Sequence, residues 1–345
     1  MNRKITLLSL KCLMLIGFTQ VVNAQQIYTN GGLSTGATSV SGVAAPAGYT
    51  WSEVQSDTGN TTESNTNAGI SGYYVNSLAT NFALGDNFVV PAGETWNITS
   101  FDFYCYQTNY AGTTSPIDVL RIQIYNGDPS AGGTLVTGDL TTNVYDASNS
   151  VEAMMYRAFN TTTPAPGTAP GTTRKIWRVR GNITASLTPG TYWVVFQSHA
   201  ASDTAFFYPT ETVVGARTVA GWNAKQLNVT TATWADVIDG GNPAAAPDVA
   251  QDFPFDINGT VLSVNQNDFD AQVTLSPNPV KDMLTYSVPS NIVVKTVAIY
   301  DVNGKLVKEI NGGSNEVNVS QLSVGNYILK LTSDTGVTSK KFIKE

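Results

Sequence analysis

Over much of its length the chain sets apolar residues at alternate positions, the spacing of strands buried on one face. From Trp96 to Tyr106, Phe101, Phe103 and Cys105 fall on one side and Asp102, Tyr104 and Tyr106 on the other. Leu120, Ile122 and Ile124 alternate with Arg121, Gln123 and Tyr125, and Trp177 and Val179 with Arg178 and Arg180. Turn residues punctuate these runs at Pro91-Ala92-Gly93, Asn126-Gly127-Asp128-Pro129 and Thr188-Pro189-Gly190. Tyr192-Trp193-Val194-Val195-Phe196 is apolar on both faces and is predicted to be the most buried strand. Phe253 to Ile257 closes the set, with Pro254 marking an edge or a strand's start because it lacks an N–H. No stretch of useful length has helical periodicity. The pattern predicts an all-β protein whose main part, residues 25–262, is a large jelly-roll-like antiparallel sandwich with strands from about residue 82.

Three regions depart from the pattern. Thr29 to Asn67 is poor in hydrophobic residues and rich in Gly, Ser, Thr and Asn; Tyr49, Trp51 and Val54 are its only expected pins to the sandwich. Residues 161–173 form a Thr/Pro/Ala/Gly loop, and 263–271 a polar linker. Beyond the linker, residues 272–345 resume short apolar runs: Met283 to Val288, Val293 to Tyr300, Lys305 to Ile310, Val317 to Val319, Tyr327 to Thr332 and Val337 to Ile343. Asn303-Gly304 between two of these favours a hairpin, so a second, small Ig-like sandwich is predicted.

That small unit carries a family resemblance. Leu275-Ser276-Pro277-Asn278-Pro279-Val280-Lys281-Asp282, then Ile299-Tyr300-Asp301-Val302-Asn303-Gly304-Lys305, then Leu322-Ser323-Val324-Gly325-Asn326-Tyr327, and the closing Lys341-Phe342-Ile343-Lys344 occur in order. Together they resemble the type A C-terminal sorting domain of the type IX (Por) secretion system. The resemblance implies export across the outer membrane of a Bacteroidota-type cell, engagement of the secretion machinery, and clipping with attachment to surface lipopolysaccharide or release. The positions carrying it are Pro277, Asn278, Pro279, Asp301, Gly304, Gly325, Tyr327 and Lys341. The passenger is similar to a recurrent secreted bacterial β-sandwich domain, through Asp86 to Gly93, Trp96 to Tyr104, Ile124 to Pro129, Leu187 to Trp193 and Gln251 to Phe255. That resemblance implies a sandwich and no mechanism.

The opening fits export. Arg3 and Lys4 precede an apolar stretch, and Val22-Asn23-Ala24 has the small-residue pattern of a cleavage site, so residues 1–24 read as a signal peptide. Lys11 interrupts the apolar run and excludes a transmembrane anchor there, which needs roughly 20 apolar residues. Cys12 leaves with the leader. Cys105 then stands alone, without an intrachain disulfide partner, and reads as a buried strand residue.

Charge and residue supply narrow the chemistry. Residues 25–271 carry 8 Lys and Arg against 20 Asp and Glu, a balance opposed to nucleic-acid binding, which needs clustered positive charge. Within this stretch Arg174, Lys175, Arg178 and Arg180 read as an internal ion-pairing face. His199 is the one histidine, so zinc spacings are excluded; a Ser-His-Asp triad through it lacks a Gly-x-Ser-x-Gly elbow. A glycosidase needs two carboxylates roughly 5 to 10 Å apart, which no motif singles out. Calcium, bound by oxygen alone, is the candidate ion, with Asp248, Asp252 and Asp256 as its spaced acids; no other cofactor is expected. Tyr104, Tyr106 and Tyr110, with Trp222 in a loop, offer aromatic faces for a sugar ring, against the alternative of core packing. Asp203-Thr204-Ala205 matches a short O-glycan attachment pattern. The reading is a secreted or surface-displayed, non-catalytic passenger for a glycan or other extracellular polymer. A polysaccharide-active hydrolase or lyase and a structural surface-layer component are the alternatives.

Overall fold

The computed structural model describes residues 25–77, 79–158, 170–263, 270, 272–290, 292–312, 314–333 and 336–345. The expected signal peptide, most of the 161–173 loop and most of the linker lie outside them. The passenger contains β1 (Gln25–Asn30), β2 (Thr50–Glu53), β3 (Phe82–Val90), β4 (Glu94–Tyr106), β5 (Ile117–Asn126), β6 (Thr134–Asp139), β7 (Tyr145–Ala158), β8 (Lys175–Leu187), β9 (Gly190–Ala200), β10 (Lys225–Asn228), β11 (Thr233–Asp236), β12 (Ile238–Asp239), β13 (Val249–Ala250) and β14 (Phe255–Ser263). One six-stranded sheet runs β1-β14-β4-β8-β7-β2 and the other β11-β10-β3-β9-β5-β6. Pairing is antiparallel except between β2 and β7.

The alternation read in the sequence is what joins the two sheets. Phe101, Phe103 and Cys105 of β4 and Phe255 of β14 meet Leu120, Ile122 and Ile124 of β5 and Phe196 of β9 in one core. The Phe103 and Phe196 rings stack across it with centroids 4.1 Å apart. Gly181 of β8 lets the sheets close up: a β-carbon there would lie 2.5 Å from Ile122 Cδ1. From Tyr192 onward every residue of β9 is buried, as its two-sided apolar run predicts. Pro254 sits just ahead of β14, a position that needs no N–H for the ladder.

The segment expected to carry little structure is built into the fold instead. β1 pairs along β14, and the stretch through Leu33 and Ala68 lies over the outer face of the first sheet, where Leu33, Tyr106 and Ile176 form a separate apolar cluster. Trp51 and Val54 are buried, as predicted. Most of the anchoring is polar. Arg157 of β7, 2% exposed, donates to the carbonyl of Ala68 at 2.8 Å and to the hydroxyls of Ser52 and Thr212 at 3.0 and 2.9 Å. Arg217 donates to Asn65 Oδ1 at 3.1 Å and to the Pro247 carbonyl at 2.9 Å. Asp239 receives the Thr66 and Asn67 amides, and Glu53 receives the Val40 amide. Few apolar residues are needed because these buried groups satisfy one another and the backbone.

The C-terminal unit contains β15 (Thr274–Ser276), β16 (Met283–Ser287), β17 (Val294–Asp301), β18 (Leu306–Asn311), β19 (Glu316–Asn318), β20 (Gly325–Ser333) and β21 (Val337–Lys344). A three-stranded sheet β15-β16-β19 packs on a four-stranded sheet β18-β17-β20-β21 around Leu284, Ile299, Leu329, Leu331 and Phe342. The Asn303-Gly304 hairpin forms between β17 and β18, with Gly304 at φ 81°, where a side chain is disfavoured.

Candidate functional site

β7 lacks clean alternation because it bulges twice against β8. Asp146 faces Arg180 while Val151 faces Arg178, so residues 147–150 are pushed out; a second shift follows between Glu152 and Tyr156. The first bulge is held by Asp146, whose carboxylate receives the Ser148 and Asn149 amides and the side chains of Asn149 and Asn182. Those bonds, the Asn149 side chain foremost, hold its pKa below the ordinary value.

The gap so made is a cavity of about 440 Å³ between β7, the start of β5 and the loop before it. Trp177, 1% exposed, lines it together with the Tyr145 ring. Thr113, Thr114 and Ser115 add hydroxyls, and Glu152 supplies its one carboxylate. The indole N–H of Trp177 is buried and meets no acceptor among the described residues. Tyr110 packs edge-on against the Trp177 ring at 6.2 Å, and Lys175 Nζ lies over it at 5.0 Å. Glu152 is oriented by the Tyr49 hydroxyl at 2.5 Å and by Lys175 at 3.4 Å, and Lys175 also donates to the Gly112 carbonyl. The arrangement combines an aromatic face, several hydroxyls and a single acceptor carboxylate. Two opposed carboxylates, as glycoside hydrolysis uses, do not line it.

The residues singled out in the sequence are dispersed. Tyr110 packs on Trp177 but does not itself line the cavity. Tyr104 points out of the same sheet but its hydroxyl donates to Asp256 at 2.7 Å, and burial foremost, then that bond, raises its pKa. Tyr106 corrects the expected aromatic face: it is 2% exposed because the Leu33 region covers it. The calcium triad is likewise not assembled. Asp256 is engaged by Tyr104 and by Gln26, and Asp252 by the Asn223 and Ala224 amides, while Asp248 lies exposed near Gly240. No group of three metal-binding side chains occurs among the described residues.

Asp252 instead joins Asp86 and Glu211, acids from distant strands and loops that no motif connects. Asp86, fully buried, accepts from the Asn87 and Phe253 amides and from Asn30; burial and then the Asp252 charge raise its pKa well above the ordinary value. Burial also moves Asp252 up to about 6. Burial and Asp252 move Glu211 up to about 7, opposed by a hydrogen bond from Trp222. Trp222 is therefore half-buried against an acid rather than a free face.

His199 is held between two carboxylates, with Nδ1 2.7 Å from Asp118 and Nε2 2.9 Å from Asp203, and Asn76 3.1 Å from Nε2. Burial lowers its pKa, but the two carboxylate bonds outweigh that and raise it overall. The neighbouring Ser198 hydroxyl pairs with Tyr208 instead, so the arrangement is an ion clamp and not a nucleophile's base. The expected ion-pairing face forms as Arg180 grips Asp102 with two bonds of 2.6 Å and Lys175 meets Glu152.

In the C-terminal unit the motif residues are structural. Asn278 accepts from the Ile343 amide at 2.9 Å, tying the Pro277-Asn278-Pro279 segment to β21. Asp301 receives the Asn303 and Lys305 amides across the Gly304 turn, and Tyr327 donates to the Ser323 carbonyl just ahead of Gly325. Lys341 is exposed on β21. Residues 274–345 match the family described as secretion system C-terminal sorting domain. The C-terminal unit is a type IX sorting domain. A sorting domain implies engagement of the type IX machinery and a secreted or cell-surface protein. No helix among the described residues is long and apolar enough to cross a membrane, which leaves β-barrels unaddressed.

No curated protein matches the chain. Among solved structures, PorZ, a surface component of the type IX system of Porphyromonas gingivalis, is 15% identical over 27% of this chain and 14% of its own, with a TM-score of 0.20. A β-D-glucuronidase from Dictyoglomus thermophilum is 11% identical over 76% of this chain and 36% of its own, with a TM-score of 0.16. Neither likeness carries an argument about the passenger.

Proposed function

We propose that the passenger, delivered by its sorting domain to the cell surface or medium, is a non-catalytic module that binds a glycan or similar extracellular polymer in the cavity beside Trp177. The observation carrying this reading is a cavity edged with hydroxyls, with Tyr145 and Trp177 in its lining and Glu152 as its one carboxylate. The aromatic wall suits the C–H face of a sugar, and Glu152, already oriented by Tyr49 and Lys175, suits its hydroxyls. Retention on surface lipopolysaccharide belongs to the same proposal.

The test is a glycan array and polysaccharide pull-down with the full mature chain, each hit followed by titration and by assay of reducing-end release. Binding without release is expected, weakened about tenfold by Glu152→Gln and by Trp177→Phe, which replaces the indole with a smaller ring. Release of reducing ends would replace this reading with an enzyme. Hits indifferent to both substitutions would move the site elsewhere.

A further inference from the structure

A second cavity, of about 450 Å³, lies on the other sheet, where residues 74–76 and 79–81 meet Arg121 of β5. Arg121, Tyr74, Asn76, Thr80, Asn81 and Thr230 line it. Arg121 is the outward residue between Leu120 and Ile122, both buried, so β5 fixes where its side chain emerges. Its Nη1 donates to Gln197 at 3.0 Å and its guanidinium carbon sits 4.1 Å from the Tyr74 ring centroid. Its Nε is buried and meets no acceptor among the described residues.

Among the described residues Arg121 also has no carboxylate within 4.0 Å. Lys175, Arg178, Arg180, Arg217 and Lys225 each have a carboxylate within 4.0 Å. Arg157 has none but spends its donors on buried oxygens. Asp118 and Asp203, whose charges act on Tyr74 of the lining, are both bound to His199, and Asp203 also receives the Asn76 and Ser77 amides. In a stretch with 20 acids against 8 bases, a cation without an acid at a cavity wall is a site prepared for an external one.

We propose that this cavity binds the carboxylate of an acidic sugar, a uronate unit, on the Arg121 guanidinium. The planar fork of arginine matches a carboxylate, and one positive charge in so acidic a stretch suits a monoanion better than a phosphate dianion. Thr80, Asn81 and Thr230 also line the cavity and are residue types that hydrogen-bond ring hydroxyls. The proposal is independent of the Trp177 cavity.

The probes are oligogalacturonate and oligoglucuronate, their neutral galactose and glucose counterparts, and inorganic phosphate, titrated into the full mature chain. Uronates are expected to bind at least tenfold tighter than the neutral sugars, with affinity falling as salt rises. Arg121→Gln should abolish that preference while the melting temperature holds. Arg121→Lys should keep part of it, and Trp177→Phe should leave it intact. Equal binding of acidic and neutral sugars, a preference that survives Arg121→Gln, or binding of phosphate in place of uronates would overturn the proposal. If Arg121→Gln melts early, a folded Arg121→Lys with undiminished preference does the same.

Discussion

Tyr327 donates its phenolic hydrogen to the carbonyl of Ser323, four residues back, at 2.9 Å. Tyr192 makes the same bond to Thr188 at 3.0 Å, so passenger and sorting domain share one corner written Leu-Ser/Thr-x-Gly-x-Tyr. Each ring also packs: Tyr327 stacks on Phe342 at 5.6 Å and Tyr192 on Phe88 at 5.9 Å. Substituting Phe in either removes the bond and keeps the ring. Each should cost about 1 kcal/mol in urea unfolding, with Tyr327→Phe acting on the sorting domain's transition and Tyr192→Phe on the passenger's.

Arg157 should be far less tolerant. Arg157→Ala strands the Ser52 and Thr212 hydroxyls and the Ala68 carbonyl in the interior. A loss of about 3 kcal/mol is expected, lowering the passenger's melting temperature by roughly 6 to 12 °C in calorimetry.

Stability should peak near pH 5. Asp86, Asp252, Glu211 and His199 all bind protons more tightly folded than unfolded, with Asp252 near 6 and Glu211 near 7. Their contribution is complete below the unfolded values and is lost as pH rises through the folded ones, between about 4 and 8. Asp146 and Asp203 are shifted the other way by hydrogen bonds and lose their contribution as pH falls below about 4. The melting temperature should therefore fall by several degrees from pH 5 to pH 8. Glu211→Gln should flatten that slope; an unchanged slope would remove Glu211 from its origin.

Cys105 lies fully buried between the sheets, and burial raises its thiol pKa far above the ordinary value. In the chain lacking residues 1–24, and with them Cys12, thiol reagents should leave the native protein unmodified and take up one equivalent in denaturant, at a rate that reports opening of the core.

The strands around Phe101 and Leu120 were legible because one face of each meets the core, so burial imposes a period on the sequence; β9, covered on both faces, was legible as a continuous apolar run. β1 was not, since its register slips between Gln26 and Tyr28, and β7 was not, since two bulges break its alternation. The Leu33–Asn67 region escaped for another reason: Arg157, Arg217 and Asp239 hold it from far along the chain, and polar anchoring leaves no periodic trace. The same non-locality hid the candidate site. Trp177 reads as core, and it is buried; that a cavity adjoins it depends on the register of β7 against β8. Tyr106 misled because alternation gives the face of a sheet and not what lies over it.

That covering has a cost in the life of the protein outside the cell. Beneath the polar strap, Tyr106 and Ile176 form an apolar stripe that Leu33 of the strap covers, with Met155 and Phe207 beside it. The strap itself has few buried apolar contacts and is held mainly by hydrogen bonds, so it opens before the close-packed core does. The first partly opened form should therefore be a nearly intact sandwich with a sticky flank, so clumping and proteolytic nicking, more than global unfolding, should set how long the passenger lasts in its surroundings.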